Sequence, residues 1–210
     1  SYLGQIEEPH SNLHHSAEEI KNVFVSADLE LGNFLREKKT DHLAWAHRVK
    51  NAFIDESIHE LDAEMDPAKC SLGKWMSSQR VAELKLKYPG FASTLAQLEQ
   101  PHRELHKSAR QIETLIRNNQ RDEARAYYME HTEPLASECL DIIDSVLGWQ
   151  EKQVQGMHEA GRIYAQKTKP NLETVQELLH KSRSAVEENM ASNDTILNEA
   201  SKAQIMVAIL

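Results

Sequence analysis

Leu95-Ala-Gln-Leu98-Glu-Gln-Pro101-His102-Arg-Glu-Leu105-His106-Lys-Ser108-Ala109-Arg-Gln-Ile112-Glu-Thr-Leu-Ile116 decides the fold class. Its apolar residues and both histidines return at i, i+3, i+4 and i+7, the period of one buried helical stripe. Pro89-Gly90 punctuates the chain just before this helix and Asn118-Asn119 just after it. Pro101 falls inside, where it is expected to kink the helix or cost it a backbone hydrogen bond one turn earlier. Working outward, Asp66-Pro67 breaks the chain between a long helix bearing His42 and the segment bearing Cys70. Asp122-Glu123 opens another helix, carrying Tyr127 to about Lys167. Pro170-Asn171 is expected to separate that helix from a last one, with Val175, Leu178, Leu179, Ser182 and Val186 on one face.

Composition agrees. Glu, Lys, Gln, Leu and Ala, the best helix formers, dominate, while only 7 Gly and 6 Pro remain for the turns of an all-β fold. The expectation is an all-α protein, an elongated four-helix-bundle-like assembly of long antiparallel helices. A net charge of -9 with no basic stripe argues against a nucleic-acid partner. No apolar run reaches the length of a membrane span, and Ser1-Tyr2-Leu3-Gly4 lacks the pattern of a signal peptide. Without an initiator Met the chain is expected to be a piece of a longer protein. Its end, Lys202-Ala-Gln-Ile-Met-Val-Ala-Ile-Leu210, turns apolar, as a final core turn or as the approach to a membrane segment. Two cysteines, Cys70 and Cys139, are no disulfide framework, and Cys139 is expected to pack in the bundle.

The sequence echoes itself twice. Ile6-Glu-Glu-Pro9-His10-Ser-Asn-Leu13-His14-His-Ser16-Ala17 repeats the apolar, Pro, His and Ser-Ala positions of Leu98 to Ala109. Tyr128-x-x-x-Thr132-x-Pro134 returns as Tyr164-x-x-x-Thr168-x-Pro170. Repeated helical hairpin units are therefore expected, with the N-terminus as the tail of an earlier one.

His102 and His106 lie one turn apart on one helical face, a spacing that lets two imidazoles reach one metal ion. Such pairs also arise on solvated faces, but this one sits in the apolar stripe, where ring nitrogens need partners and a metal supplies them. Cys70 follows a Pro break and precedes Gly73 and Trp75, which is how a loop presents a thiolate to a helix. His42, beside Leu43 and Trp45, completes a set of three nitrogens and one sulfur, a closed tetrahedral shell for Zn²⁺. Closure leaves no position for water and argues against hydrolysis. Neither a His-Glu-x-x-His order, a di-iron Glu-x-x-His pair, nor a Gly-rich phosphate loop occurs, so no enzyme is expected. His10 and His14 copy the pair without a second Cys-x-Leu-Gly loop and are expected to remain a relic, exposed or weakly binding. Trp45, Trp75 and Trp149 are read as packing anchors.

Asp41-His42-Leu-x-Trp45, Cys70-x-Leu72-Gly73-x-Trp75 and Glu99-x-Pro101-His102-x-x-x-His106, in this order, resemble the chemoreceptor zinc-binding (CZB) domain over roughly residues 36 to 147. The resemblance implies a four-helix-bundle-like fold, zinc held by His42, Cys70, His102 and His106, and a sensory role in bacterial chemotaxis or cyclic-dinucleotide signalling. Residues 1–35 are then expected to be the tail of a preceding CZB-like repeat, 36–147 the zinc domain, and 148–210 helices leading towards a membrane. Tyr164 to Gln176 is similar to the second half of the ligand-binding bundle of a methyl-accepting chemotaxis protein. That favours an extracytoplasmic, periplasmic sensor of an inner-membrane receptor over a cytoplasmic one. The resemblance also implies a homodimer. The expected function is transmission of metal or thiol-redox state through helix packing, with an oxidant as one stimulus. The alternative is a bundle that senses a small molecule and in which zinc is purely structural.

Overall fold

The computed structural model describes the backbone of residues 2–209, and their side chains except those of 191 and 202–209. The side chains of the apolar tail from Ile205, and Leu210 altogether, thus lie outside the described residues. Among the described residues there is helix and no strand. The order is α1 (Tyr2–Val23), α2 (Leu29–Ile54), α3 (Ser71–Met76), α4 (Gln79–Lys87), α5 (Pro89–Arg117) and α6 (Arg121–Tyr127). A π-helical turn π1 (Tyr128–Thr132), α7 (Glu133–Ile163), a second turn π2 (Tyr164–Thr168) and α8 (Lys169–Ile209) follow. No helix among the described residues is long and apolar enough to cross a membrane. Contacts divide the chain into two compact units, Ala27–Val154, and Ser1–Ser26 with Gln155–Leu210.

Local chemistry sets the boundaries. Asp28 caps α2, its carboxylate accepting from the N–H groups of Glu30 and Leu31. Ser78 caps α4 through Val81 N–H. Pro89 starts α5, where its missing N–H is lost anyway. The helix then continues unbroken through Pro101 and stops at Asn118, with Asn119 left-handed at φ 60°.

One boundary differs from the sequence reading. Pro170-Asn171 does not separate two helices: π2 passes directly into α8. The physical reason lies in the Tyr-x-x-x-Thr-x-Pro echo, both copies of which are π turns. Glu133 N–H donates to the Tyr128 carbonyl and Lys169 N–H to the Tyr164 carbonyl, each five residues back. Widening the helix by one residue just before Pro134 and Pro170 lets the chain accommodate a ring that would otherwise crowd the preceding turn.

In the Ala27–Val154 unit, α7 runs antiparallel to α2 and α5. Lys39 pairs with Asp144 and Arg36 with Glu151, while Phe91 stacks near Trp149 and Thr132 Oγ1 donates to Ser108 Oγ. The core between them is Leu31, Leu35, Val49, Leu95, Leu98, Leu105, Ile112, Ile143 and Val146, all nearly inaccessible. Cys139 is buried among them, and both cysteines are free. In the other unit α1 lies antiparallel to π2 and α8, with Val23 against Gly156, Glu19 on Lys167 and Ser16 bonded to Thr168.

Candidate metal centre

Three elements bring His42, Cys70, His102 and His106 together, and their ligand atoms all lie within 4.8 Å of one another. His42 comes from the middle of α2, Cys70 from the residue that starts α3, and the other two from α5. The three rings are buried and Cys70 is half-buried. Among the described residues no other group of three or more His, Cys, Asp or Glu meets this geometry.

The hydrogen bonds leave the right atoms bare. His42 Nδ1 lies 2.7 Å from the Lys38 carbonyl and His106 Nδ1 lies 2.6 Å from the Glu64 carbonyl. A carbonyl only accepts, so both Nδ1 atoms donate, and each neutral ring turns the lone pair of Nε2 into the cluster. There Nε2 of His102 and His106 stand 3.2 Å apart, and His42 Nε2 is 3.7 Å from Cys70 Sγ. Two nitrogens on a tetrahedral zinc are separated by roughly 3.3 Å, and a nitrogen and a sulfur by roughly 3.6 Å, given ordinary bond lengths. Donor types, lone-pair directions and these two spacings fit zinc.

The Cys70 turn is built by its neighbours. Cys70 N–H donates to the Asp66 carbonyl, and Lys74 N–H to the Cys70 carbonyl. Gly73 is required by space rather than by φ: a Cβ there would stand 1.8 Å from the Pro67 carbonyl oxygen. Trp45 Nε1 shares the Glu64 carbonyl with His106, and Arg48 Nε holds the Asp62 carbonyl, so the connection after α2 is tied to the helix faces carrying the ligands. Trp75 packs on Phe34 and Phe91, and Trp149 on Tyr88 and Phe91, as anchors.

Electrostatics favours a thiolate. Burial opposes ionisation of Cys70, but its contacts with the imidazoles of His102, His106 and His42 and with the Gly73 N–H outweigh it and bring the thiol down to about 3. Burial also works against charge on His42, yet its bonds to Cys70 and the Lys38 carbonyl raise it above its usual value. His102 goes the other way, held down by burial despite its bond to Cys70. Cys139, by contrast, is pushed up to about 12 by burial and the nearby Glu138 charge.

Residues 42–113 match the family model of the chemoreceptor zinc-binding domain. This segment is similar to that family, and the match covers less than half of the chain. It begins at the first of the four clustered residues and contains all of them, within the 36–147 stretch of the sequence resemblance. No curated protein and no solved structure matched the chain. The CZB segment thus rests on its motifs and its geometry together, and chemotaxis is the context that the family implies.

Sequence reasoning missed Lys38. It is buried, yet its ammonium bonds Asp41 Oδ2 at 2.6 Å, Glu37 Oε1 at 2.8 Å and Ser71 Oγ at 3.0 Å. Burial disfavours its charge, but Asp41 and Glu37 together outweigh that and raise its pKa. Its backbone carbonyl orients His42 while its side chain fixes the residue after Cys70. A Lys one turn before a candidate His ligand, with an acidic residue three further on, was the available signal.

Proposed function

We propose that the CZB unit binds one zinc ion through His42, Cys70, His102 and His106 and serves as a sensory module of a bacterial chemoreceptor, relaying metal or thiol-redox state as a change in helix packing. One observation carries this reading: four candidate ligand atoms from α2, the Cys70 turn and α5 converge within 4.8 Å, with the far nitrogens of His42 and His106 already spoken for. Zinc bound there supplies a closed tetrahedral shell that ties the three elements together. Four protein ligands leave no place for a reacting water, which supports a binding rather than an enzymatic role.

The residues around the cluster support thiol chemistry as input. A cavity of about 290 Å³, lined by Asp41, Trp45, Arg48, Lys69 and Cys70 among others, opens beside the thiolate. Attack of Cys70 Sγ on a peroxide would form an S–O bond and break the O–O bond, leaving a sulfenic acid and releasing water or hydroxide. The oxidised sulfur is the weaker ligand, and its departure frees the α3 turn from α2 and α5. Periplasmic placement, membrane attachment through segments outside these residues, and homodimerisation belong to the same proposal, supported by the likeness of the Tyr164 to Gln176 stretch to receptor sensor helices.

Metal analysis before and after peroxide treatment tests it. The native chain is expected to carry one zinc and release it to a chromogenic chelator on oxidation, with His42→Ala and Cys70→Ser depleted from the start. A Cys70→Ser protein with native zinc content and native oxidant response would sink the proposal. A second reading draws on the open groove of about 930 Å³ flanked by Gln97, Gln100, Glu104, Glu138 and Asp141, which suits a small polar molecule with zinc only structural. Thermal stabilisation by such a molecule at constant zinc content, with no effect of peroxide, would favour it.

A further inference from the structure

The two internal echoes meet in space. In the unit of Ser1–Ser26 with Gln155–Leu210, Thr168 Oγ1 donates to Ser16 Oγ at 2.9 Å, and Ser16 Oγ donates to the Leu13 carbonyl at 2.9 Å. In the CZB unit, Thr132 Oγ1 donates to Ser108 Oγ at 2.9 Å, and Ser108 Oγ to the Leu105 carbonyl at 2.7 Å. Each Thr closes a π turn followed by Pro, and each Ser lies two residues beyond a His-x-x-x-His pair. The same helix–helix joint is therefore built twice, and α1 stands to π2 as α5 stands to π1.

The histidine pair is copied with it. His10 and His14 have Nε2 atoms 3.3 Å apart and ring centroids 4.7 Å apart at 83°. For His102 and His106 the corresponding values are 3.2 Å, 4.6 Å and 76°. Both separations agree with the roughly 3.3 Å between two nitrogens on one tetrahedral metal. The neighbouring His15 is not part of this, since its Nδ1 turns back to the Ser11 carbonyl at 2.9 Å. What differs is the cover. His102 and His106 are buried beneath α2 and the Cys70 turn, whereas His10 and His14 are exposed, and among the described residues no third ligand joins them.

We infer that His10 and His14 form a second, solvent-open site for a divalent transition-metal ion of the zinc class. Imidazole suits such ions, and two nitrogens leave the remaining positions to water or to an exogenous donor. The site is weaker than the four-ligand one and exchanges faster, because half its ligands come from solvent. It is independent of the CZB reading, since neither histidine belongs to that cluster.

Calorimetric titration of the chelator-stripped, full 210-residue chain with Zn²⁺ tests the inference. Two equivalents are expected, one tight and one weak. His10→Ala/His14→Ala is expected to lose the weak equivalent entirely and keep the tight one, which also certifies its fold; Cys70→Ser is expected to do the reverse. His47→Ala, an exposed histidine whose ring contacts Asn51, is expected to keep both. A native chain that takes up only one equivalent, or a weak equivalent that survives in the double variant, overturns the inference.

Discussion

At the scale of single residues, the two cysteines are chemically opposite. Cys70, held down to about 3 by its imidazole and Gly73 partners, is a thiolate at neutral pH, while Cys139, pushed up to about 12, is a thiol. Ultraviolet absorbance of the metal-free protein should therefore show one thiolate at pH 7, lost in Cys70→Ser and retained in Cys139→Ala. The stability that Cys70 contributes without metal is complete above its ordinary value of 9.0 and drains away as pH falls towards 3. The raised His42 acts in the other sense, contributing fully below its ordinary 6.5 and fading as pH rises past its raised value. Metal-free stability measured by denaturant should thus climb from pH 4 to about 6.5 and level off above it, where the His42 loss offsets the Cys70 gain, a climb that Cys70→Ser removes. Gly73 is the other decisive residue. Gly73→Ala drives a methyl into the Pro67 carbonyl, so it should cost about 2 kcal/mol by denaturant titration and weaken zinc binding by displacing Cys70.

At the scale of elements, the clustered His and Cys residues are held by a connection as well as by helices. Residues between α2 and α3 form no regular structure, yet Arg121 clamps their start: its guanidinium donates to the carbonyls of Ala52, Asp55, Glu56 and Ile58. This cation closes the C-terminal end of α2, where carbonyls lack partners. Arg121→Ala should lower stability by about 2 kcal/mol and loosen the metal site without touching a ligand. Hydrogen exchange should localise the added mobility to residues 55–66 and leave α5 protected; uniform loss of protection would contradict this account. The π turns tell a complementary story, since both place a Thr hydroxyl on a neighbouring helix's Ser and let Pro follow without ending the helix.

At the scale of the molecule, the buried apolar cluster from Leu31 to Leu147 and the clustered His42, Cys70, His102 and His106 fall within Ala27–Val154. A fragment of residues 27–154 should accordingly fold by itself and retain one zinc, measurable by elemental analysis and cooperative thermal unfolding. Stripping that zinc should lower its stability by about 4 kcal/mol when free metal stands near a thousand times its dissociation constant. A fragment that unfolds non-cooperatively with metal present would show that the division by contacts does not mark a folding unit. Unlike this unit, the one containing α1 and α8 exposes Leu172, Leu179, Val186, Met190, Ile196 and Leu197, and among its described residues few side chains are buried.

Helical class, the α5 stripe and its end signals were legible in the sequence because periodicity, Pro at a helix start and Asn at its close act locally. The four residues that cluster, His42, Cys70, His102 and His106, were legible as well, since the motifs carry their spacing and order with them. Other features belong to the tertiary structure because they depend on residues far apart in the chain. Lys38 becomes a buried cation only when α3 arrives with Ser71, and Arg121 caps α2 only across a fold that joins residues 52 and 121. Pro170 read as a helix break because Pro ordinarily removes a hydrogen bond and crowds the preceding turn. The structure keeps the helix by widening it there and fastening Thr168 to Ser16, a partner 152 residues away. Local sequence thus determined which residues are chemically able, and packing decided which of them meet.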